Sequence, residues 1–335
     1  MKILLADDSA LLRGIIRELL SEEDDLEIVC EVTNGAVAYE KTRELQPDLV
    51  IMDVNMPVMD GIEASKLIMR QNPTPILVFT SEVDAEKGFE AIENGAIEIV
   101  KKPPIDQLSD EVFAGIFINK IRTLAKSRPH AKTTTPEISV PVPERIRKFS
   151  LVVIGASTGG PLAVRTVLSA LQPDFPSGIA IVQHLESGFD QGYAEWLNEA
   201  ADIPVGLAHK QGSFAPGTAV VAPADFHIRC TDQGYVLDQG EKVLNQRPSV
   251  DVLFSTAAEV YGRNVLGILL TGMGRDGADG CAAIKANNGL TICQDEATSA
   301  IFGMPKAAIE LNAAGKVLSL KEIGLFLRRL SVKDK

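Results

Sequence analysis

At roughly 150 residues per domain, a chain of 335 residues has room for two domains, each large enough for its own core. Its composition, 45% hydrophobic and 23% charged, is that of a globular protein, and a net charge of −12 argues against nucleic acid as its main partner. The apolar run 3–6 is cut short by Asp7 and Asp8, and no run approaches the ~18 residues of a membrane span. With four widely spaced cysteines and no C-x-x-C pair, the expectation is a cytoplasmic protein with reduced thiols and no membrane insertion.

Through residue 125 the chain alternates between strand-like runs (2–6, 27–32, 48–52, 75–79, 97–100) and amphipathic helical segments such as Leu11-Leu12-Ile15-Ile16-Leu19-Leu20. Five successive βα units predict a parallel sheet covered on both faces, which binds ligands beyond the carboxyl ends of its strands. Polar residues fall at those ends. Asp7 and Asp8 close the first run, Asp53 the third and Thr80 the fourth, while Lys102 follows the fifth. Singly, each Asp reads as a helix cap or turn residue. Three converging carboxylates repel one another unless a hard cation such as Mg²⁺ sits among them, and a carboxylate beside a cation, a hydroxyl and a Lys can attack a phosphoryl group.

Asp7-Asp8-Ser9, Met52-Asp53-Val54-Asn55-Met56-Pro57, Asp60-Gly61, Thr80-Ser81 and Lys102-Pro103 resemble the motifs of the receiver domain of two-component response regulators. The resemblance covers residues 1–124 and implies a flavodoxin-like (βα)5 fold with Asp53 accepting phosphate from a histidine kinase. It further implies Mg²⁺ held by Asp8, Asp53 and the backbone carbonyl of Asn55, with Asp7 acting through water, and Thr80 and Lys102 contacting the phosphoryl group. One departure stands out: Ile99 occupies the place of the family's aromatic switch residue, and an Ile has no ring to swing.

Residues 125–149 read as a linker. From Arg122 to Phe149 there are four prolines, a Thr cluster, and seven Lys/Arg against two Glu. This basic stretch reads first as a solvated tether.

The α/β alternation resumes in residues 150–335, with strands expected at 151–154, 178–184, 218–222, 265–271 and 290–294. Helices are expected around 162–172, 189–201, 249–261, 278–288 and 305–314. Runs 226–229 and 235–238 around Gln233-Gly234 predict a hairpin, and with it a mixed sheet. Gly155-Ala156-Ser157-Thr158-Gly159 satisfies G-x-S-x-G at a strand-to-helix turn, where a hydroxyl projects above the sheet edge. A cofactor turn or plain loop is an equal reading of that stretch alone. His184 ends a strand and lands on the same edge, as a general base must. His130 falls in the linker, and His209 and His227 fall in loop or hairpin context.

Gly272-Met273-Gly274-Arg275-Asp276-Gly277 supports two readings. It fits the dinucleotide fingerprint G-x-G-x-x-G, with Asp295 ending the next strand. It also supplies an acid, Asp276, to orient His184, and loop amides for an oxyanion. The order Ser157, His184, Asp276 is not that of an α/β-hydrolase, whose His comes last.

Residues 154–161, Val182-Gln183-His184, Ala222-Pro223-Ala224-Asp225, Arg247-Pro248-Ser249-Val250-Asp251, 270–277 and Phe302-Gly303-Met304-Pro305 resemble the catalytic domain of the chemotaxis protein-glutamate methylesterases. The fold implied overall is a (βα)5 receiver followed by a doubly wound, mostly parallel α/β sheet carrying a β-hairpin. The resemblance makes Ser157 the nucleophile, His184 the base and Asp276 its orienting acid, and gives the Met273 backbone amide an oxyanion role, with no cofactor at the ester site. It implies a monomer that demethylates, and deamidates, chemoreceptors when phosphorylated.

Overall fold

Continuous apolar runs, rather than alternating ones, form the strands of the N-terminal half, because helices cover both faces of the sheet. These strands are β1 (Lys2–Ala6), β2 (Glu27–Val32), β3 (Leu49–Met52), β4 (Ile76–Thr80) and β5 (Glu98–Lys101). They pair in parallel in the order β2-β1-β3-β4-β5, flanked by α1 (Ala10–Ser21), α2 (Gly35–Leu45), α3 (Gly61–Gln71), α4 (Ala85–Glu93) and α5 (Glu111–Leu124). The computed structural model describes residues 1–81, 84–108, 110–127 and 147–331, and the chain divides into two compact units, Met1–Thr134 and Thr135–Lys335. Most of the basic linker stretch, and His130 with it, lies outside the described residues.

Helix starts follow from local chemistry. The side chains of Ser9, Asn34 and Asp60 accept amides of the first turns of α1, α2 and α3. Strand order reverses between β1 and β3, so the crevice that takes ligands in such sheets opens where Asp7, Asp8 and Asp53 lie. Gly61 matters to that crevice: a Cβ there would lie 2.0 Å from the Asp53 carbonyl oxygen. Gly61→Ala is therefore expected to push α3 off β3 and to cost about 1–3 kcal/mol of stability. Urea unfolding of the full chain would register it as an earlier first transition.

In the second unit β6 (Leu151–Ala156) leads to α6 (Gly160–Leu168), then β7 (Gly178–Gln183), α7 (Asp190–Ala200), β8 (Val205–Leu207), β9 (Gln211–Gly212) and β10 (Ala219–Val221). There follow β11 (His227–Thr231), β12 (Gly234–Asp238), α8 (Val250–Tyr261), β13 (Val265–Leu269), α9 (Ala278–Ala286), β14 (Leu290–Gln294), α10 (Met304–Glu310), β15 (Lys316–Leu318) and α11 (Leu320–Leu330). Seven strands form a wholly parallel sheet in the order β15-β14-β13-β6-β7-β10-β8.

The expected hairpin forms, but it does not make this sheet mixed. β11 and β12 pair with the two-residue β9 in a separate antiparallel sheet. The large sheet winds outward in both directions from β6 and β13, so its switch point lies between the ends that carry Ser157 and the 272–277 loop. The start of α8 is driven deep under these strand ends. Val250 packs so tightly that a Cβ on Gly155 or Gly277 would meet its Cγ1 at 2.2 or 2.7 Å.

Candidate active site and phosphoacceptor pocket

Ser157 follows β6 directly, in a turn closed by the Gly160 amide donating to the Ser157 carbonyl at 2.7 Å and by Gly159 at φ 73°. The turn is also tied to its neighbours. The Ser157 amide donates to the Thr271 carbonyl at 3.1 Å, and a Cβ on Gly272 would lie 2.8 Å from the Ser157 Cβ. Gln183, buried at the end of β7, donates through Nε2 to the carbonyls of both Ser157 (2.8 Å) and His184 (3.1 Å). One amide side chain thus clamps the two strand ends that bear the hydroxyl and the imidazole.

His184 Nε2 lies 2.9 Å from Asp276 Oδ2, and the two side chains are 9% and 3% exposed. An ionised carboxylate only accepts, so Nε2 carries the proton and Nδ1 remains as the basic nitrogen. Asp276 also accepts from Ser249 Oγ at 2.8 Å, the Val250 amide at 2.8 Å and the Asp251 amide at 3.0 Å. Burial pushes the Asp276 carboxyl up, but the His184 imidazole and the amides of Asp251 and Val250 outweigh it and hold the group below its ordinary range. Ser157 Oγ makes no hydrogen bond among the described residues, and such bonds commonly tighten only when substrate binds.

The dinucleotide reading fails on one group. The amides of Gly277 and Gly280, at the start of α9 where a pyrophosphate would sit, donate to Asp251 Oδ1 at 2.9 and 2.6 Å. A buried carboxylate already occupies the anion position. Burial, reinforced by the charges of Asp276 and Asp279 against the pull of the Gly280 amide, raises Asp251 to about 6. Asp295 accepts from the Thr298 amide and hydroxyl, closing a turn. The Met273 side chain is exposed, and its loop is fixed by the Gly303 and Met304 amides donating to the Gly272 carbonyl and by the Thr271 amide donating to Gln294 Oε1.

In the N-terminal unit Asp7, Asp8 and Asp53 bring carboxylate oxygens within 4.8 Å of one another, Asp8 exposed and the other two buried. Lys102 Nζ sits 2.7 Å from both Asp7 Oδ2 and Asp53 Oδ2. Thr80 Oγ1 is buried at the end of β4 without a hydrogen-bond partner among the described residues, and Asn55 is exposed, receiving a hydrogen bond from Lys87. Burial raises the Asp53 carboxyl above its ordinary range, Lys102 countering only part of the push. Ile99 is buried, and a Cβ on Gly88 of α4 would lie 2.1 Å from its Cδ1.

Burial makes the charged form of Asp53 costly to the fold. Its folded pKa is raised, so its contribution to stability is present below the unfolded value and lost as pH rises through the folded one. At neutral pH the carboxylate therefore costs stability, and Asp53→Asn is expected to raise the melting temperature of the N-terminal unit. In thermal scans the gain should shrink as the pH approaches 3.8, the ordinary value of the group.

A hydroxyl, an imidazole and a buried carboxylate at adjoining strand ends of one unit, with an acidic pocket and a lysine on the other, define a class: a hydrolase joined to a signal-receiving module. Residues 152–327 match the CheB methylesterase family and residues 3–113 the response regulator receiver domain, and the chain belongs to the CheB methylesterase family. It is 40% identical over 333 residues to protein-glutamate methylesterase/protein-glutamine glutaminase 2 of Anaeromyxobacter dehalogenans, covering 99% of this chain and 97% of that one. To the same-named protein of Cupriavidus metallidurans it is 39% identical, covering 96% of each chain. The crystal structure of the Thermotoga maritima CheB methylesterase catalytic domain is similar at TM-score 0.53 and 36% identity, covering 55% of this chain and 100% of that domain. Among the described residues no helix is long and apolar enough to cross a membrane.

Proposed function

We propose that this chain hydrolyses glutamate methyl esters on chemoreceptors, and deamidates receptor glutamines, under control of phosphorylation at Asp53. The observation that carries the chemistry is His184, oriented through Nε2 by a buried, four-donor Asp276 and clamped through Gln183 to the turn of Ser157. His184 Nδ1 takes the Ser157 proton as Oγ attacks the ester carbonyl, and the Met273 amide steadies the oxyanion. The imidazolium returns the proton to the departing methoxide, releasing methanol. Water, deprotonated by the same nitrogen, then cleaves the glutamyl-serine and leaves free Glu. With Gln as substrate the same acyl-enzyme forms and ammonia leaves.

In the receiver, residues 1–124 of the proposed domain division, Asp53 takes the phosphoryl group from a histidine kinase as the N–P bond breaks. Asp8, Asp53 and the Asn55 carbonyl would hold Mg²⁺, with Asp7 behind a water. The fit rests on three carboxylates within 4.8 Å and the unpartnered Thr80 hydroxyl. When bound, the cation would neutralise charge on the phosphoryl oxygens. Lys102 would hold the same charge through its ammonium, and the Thr80 hydroxyl would donate to a phosphoryl oxygen. Residues 125–149 tether the receiver to the catalytic domain, 150–335, in a cytoplasmic monomer.

The test is methanol release from methylated receptor membranes, with and without a small phosphodonor plus Mg²⁺. Turnover is expected in the wild type and reduced to a trace in Ser157→Ala, with phosphodonor stimulation abolished in Asp53→Ala. Turnover that survives Ser157→Ala overturns the nucleophile. Stimulation that survives Asp53→Ala overturns the control.

A further inference from the structure

Behind Asp276 lies a buried histidine that the acyl-transfer scheme does not use. His227 begins β11 and is fully buried. The Ser249 amide donates to its Nδ1 at 3.1 Å, so that nitrogen carries no proton. Nε2 lies 2.9 Å from the Glu241 carbonyl oxygen and donates to it. Both partners are main-chain groups of fixed role, so they select one neutral tautomer.

Ser249 is the N-cap of α8 and is itself fully buried. Its hydroxyl and the amides of Val250 and Asp251 supply three of the four described donors to Asp276. The first amide of that three-residue segment is the one His227 holds. A line of hydrogen bonds therefore runs from the Glu241 carbonyl through His227, Ser249 and Asp276 to His184. The charged group opposite His227 in the hairpin register is Asp238, which pairs with Arg229 at 2.6 Å. On the α8 side, Asp251 turns its carboxylate to the α9 amides instead.

We propose that His227 is a positioning residue for the ester hydrolysis. As a neutral acceptor it fixes the Ser249 main chain, so that residues 249–251 aim their donors at Asp276. It thereby sets how basic a carboxylate His184 faces. The inference rests on the Ser157–His184–Asp276 reading. A carboxylate that loses hydrogen-bond donors becomes more basic and holds the imidazolium more tightly. Loosening the segment should thus move the titration of His184 to higher pH, which simple loss of folded protein does not do.

The experiment compares His227→Asn, His227→Gln and His227→Phe in the full chain. An Asn carbonyl can replace Nδ1 as acceptor for the Ser249 amide. A Gln amide reaches toward the Nε2 position and restores the Glu241 contact instead. A Phe restores neither. Displacement of a catalytic group by about 1 Å costs on the order of a hundredfold, so kcat should fall about that far in His227→Phe with KM little changed. The acid limb of kcat and the NMR titration of the His184 imidazole should both move to higher pH. His227→Asn should recover most of kcat and the wild-type limb, and His227→Gln should not.

The proposal is overturned if Asn does no better than Gln, or if a folded Phe variant keeps the wild-type limb and titration. The NMR titration reads the link from His227 to His184 without turnover. If Ser157→Ala stays active, the nucleophile reading fails whatever that titration shows. If Ser157→Ala is dead while His184 titrates identically in wild type and His227→Phe, the positioning role fails alone. Should the Phe variant not fold, the Asn–Gln comparison decides.

Discussion

Replacing Ser157 by Ala is expected to lower receptor-ester turnover by about six orders of magnitude, the scale seen when a serine nucleophile is removed from a working catalytic constellation. The fold should be untouched. Ser157 is held by main-chain bonds that Ala keeps: its amide to Thr271, and its carbonyl to Gly160 and the Gln183 amide. Its hydroxyl has no partner among the described residues, so truncation orphans no buried group, and surface-like substitutions of this kind stay within about 0.5 kcal/mol. Melting curves of wild type and variant should therefore superimpose while methanol release collapses. A residual rate above solution background is also expected, on the order of 10³-fold, because the loop amide at Met273 can still steady a tetrahedral oxyanion formed by water attack. Turnover reduced in proportion to lost folded protein would mean that Ser157 is a turn residue and nothing more.

Much of this was legible in the primary structure, for a physical reason. In a doubly wound sheet chemistry gathers at strand carboxyl ends, and a polar residue ending an apolar run is easy to see there. Asp7, Asp53, Ser157 and His184 stand out in that way and do lie just past the ends of their strands, and β2 and β14 lie on the expected boundaries. What escaped depends on tertiary partners. Strand β13 stops at Leu269 instead of 271 because the Thr271 amide turns away to Gln294 Oε1. The edge strands β8 and β15 have three residues each and no apolar run to announce them. Helix α11 does carry a local signal, the capping box Ser319-Leu320-Lys321-Glu322.

The supporting groups of the site were the hardest to anticipate. Ser249 and Asp251 read as an ordinary helix start, and only the wedge of Val250 between Gly155 and Gly277 brings that start onto Asp276. His227, in hairpin context, reads as either satisfied or exposed; it is fully buried, with both its nitrogens bonded. What the sequence does not carry is that one of its partners also caps the helix that holds the acid. Likewise G-x-G-x-x-G was ambiguous in the sequence, because the carboxylate that fills its anion position comes from 26 residues upstream of Gly277.

Asp276→Asn is the second large effect, and it should act on both rate and stability. The carboxylate accepts from His184 Nε2, Ser249 Oγ and the Val250 and Asp251 amides, so both oxygens face donors. An Asn presents an NH₂ to one pair of those donors. If it faces His184 Nε2, the imidazole must carry its proton on Nδ1, and the base toward Ser157 is lost. The expected fall in kcat is about 10⁴-fold, that of the wrong tautomer. If it faces Ser249 and Asp251 instead, two buried donors lose their acceptor, at about 1–3 kcal/mol each. Stability and pH then separate the two cases from a simple cavity. The wild-type pKa is held below its ordinary 3.8, so these bonds stabilise the native state above that value and are lost as pH falls through the lower folded value. Denaturant unfolding of the C-terminal unit should thus show a gap between wild type and Asp276→Asn at neutral pH that narrows in acid below 3.8. A gap that stays constant across that range, or a variant that keeps wild-type turnover, would show that Asp276 carries neither the charge nor the orienting role assigned to it.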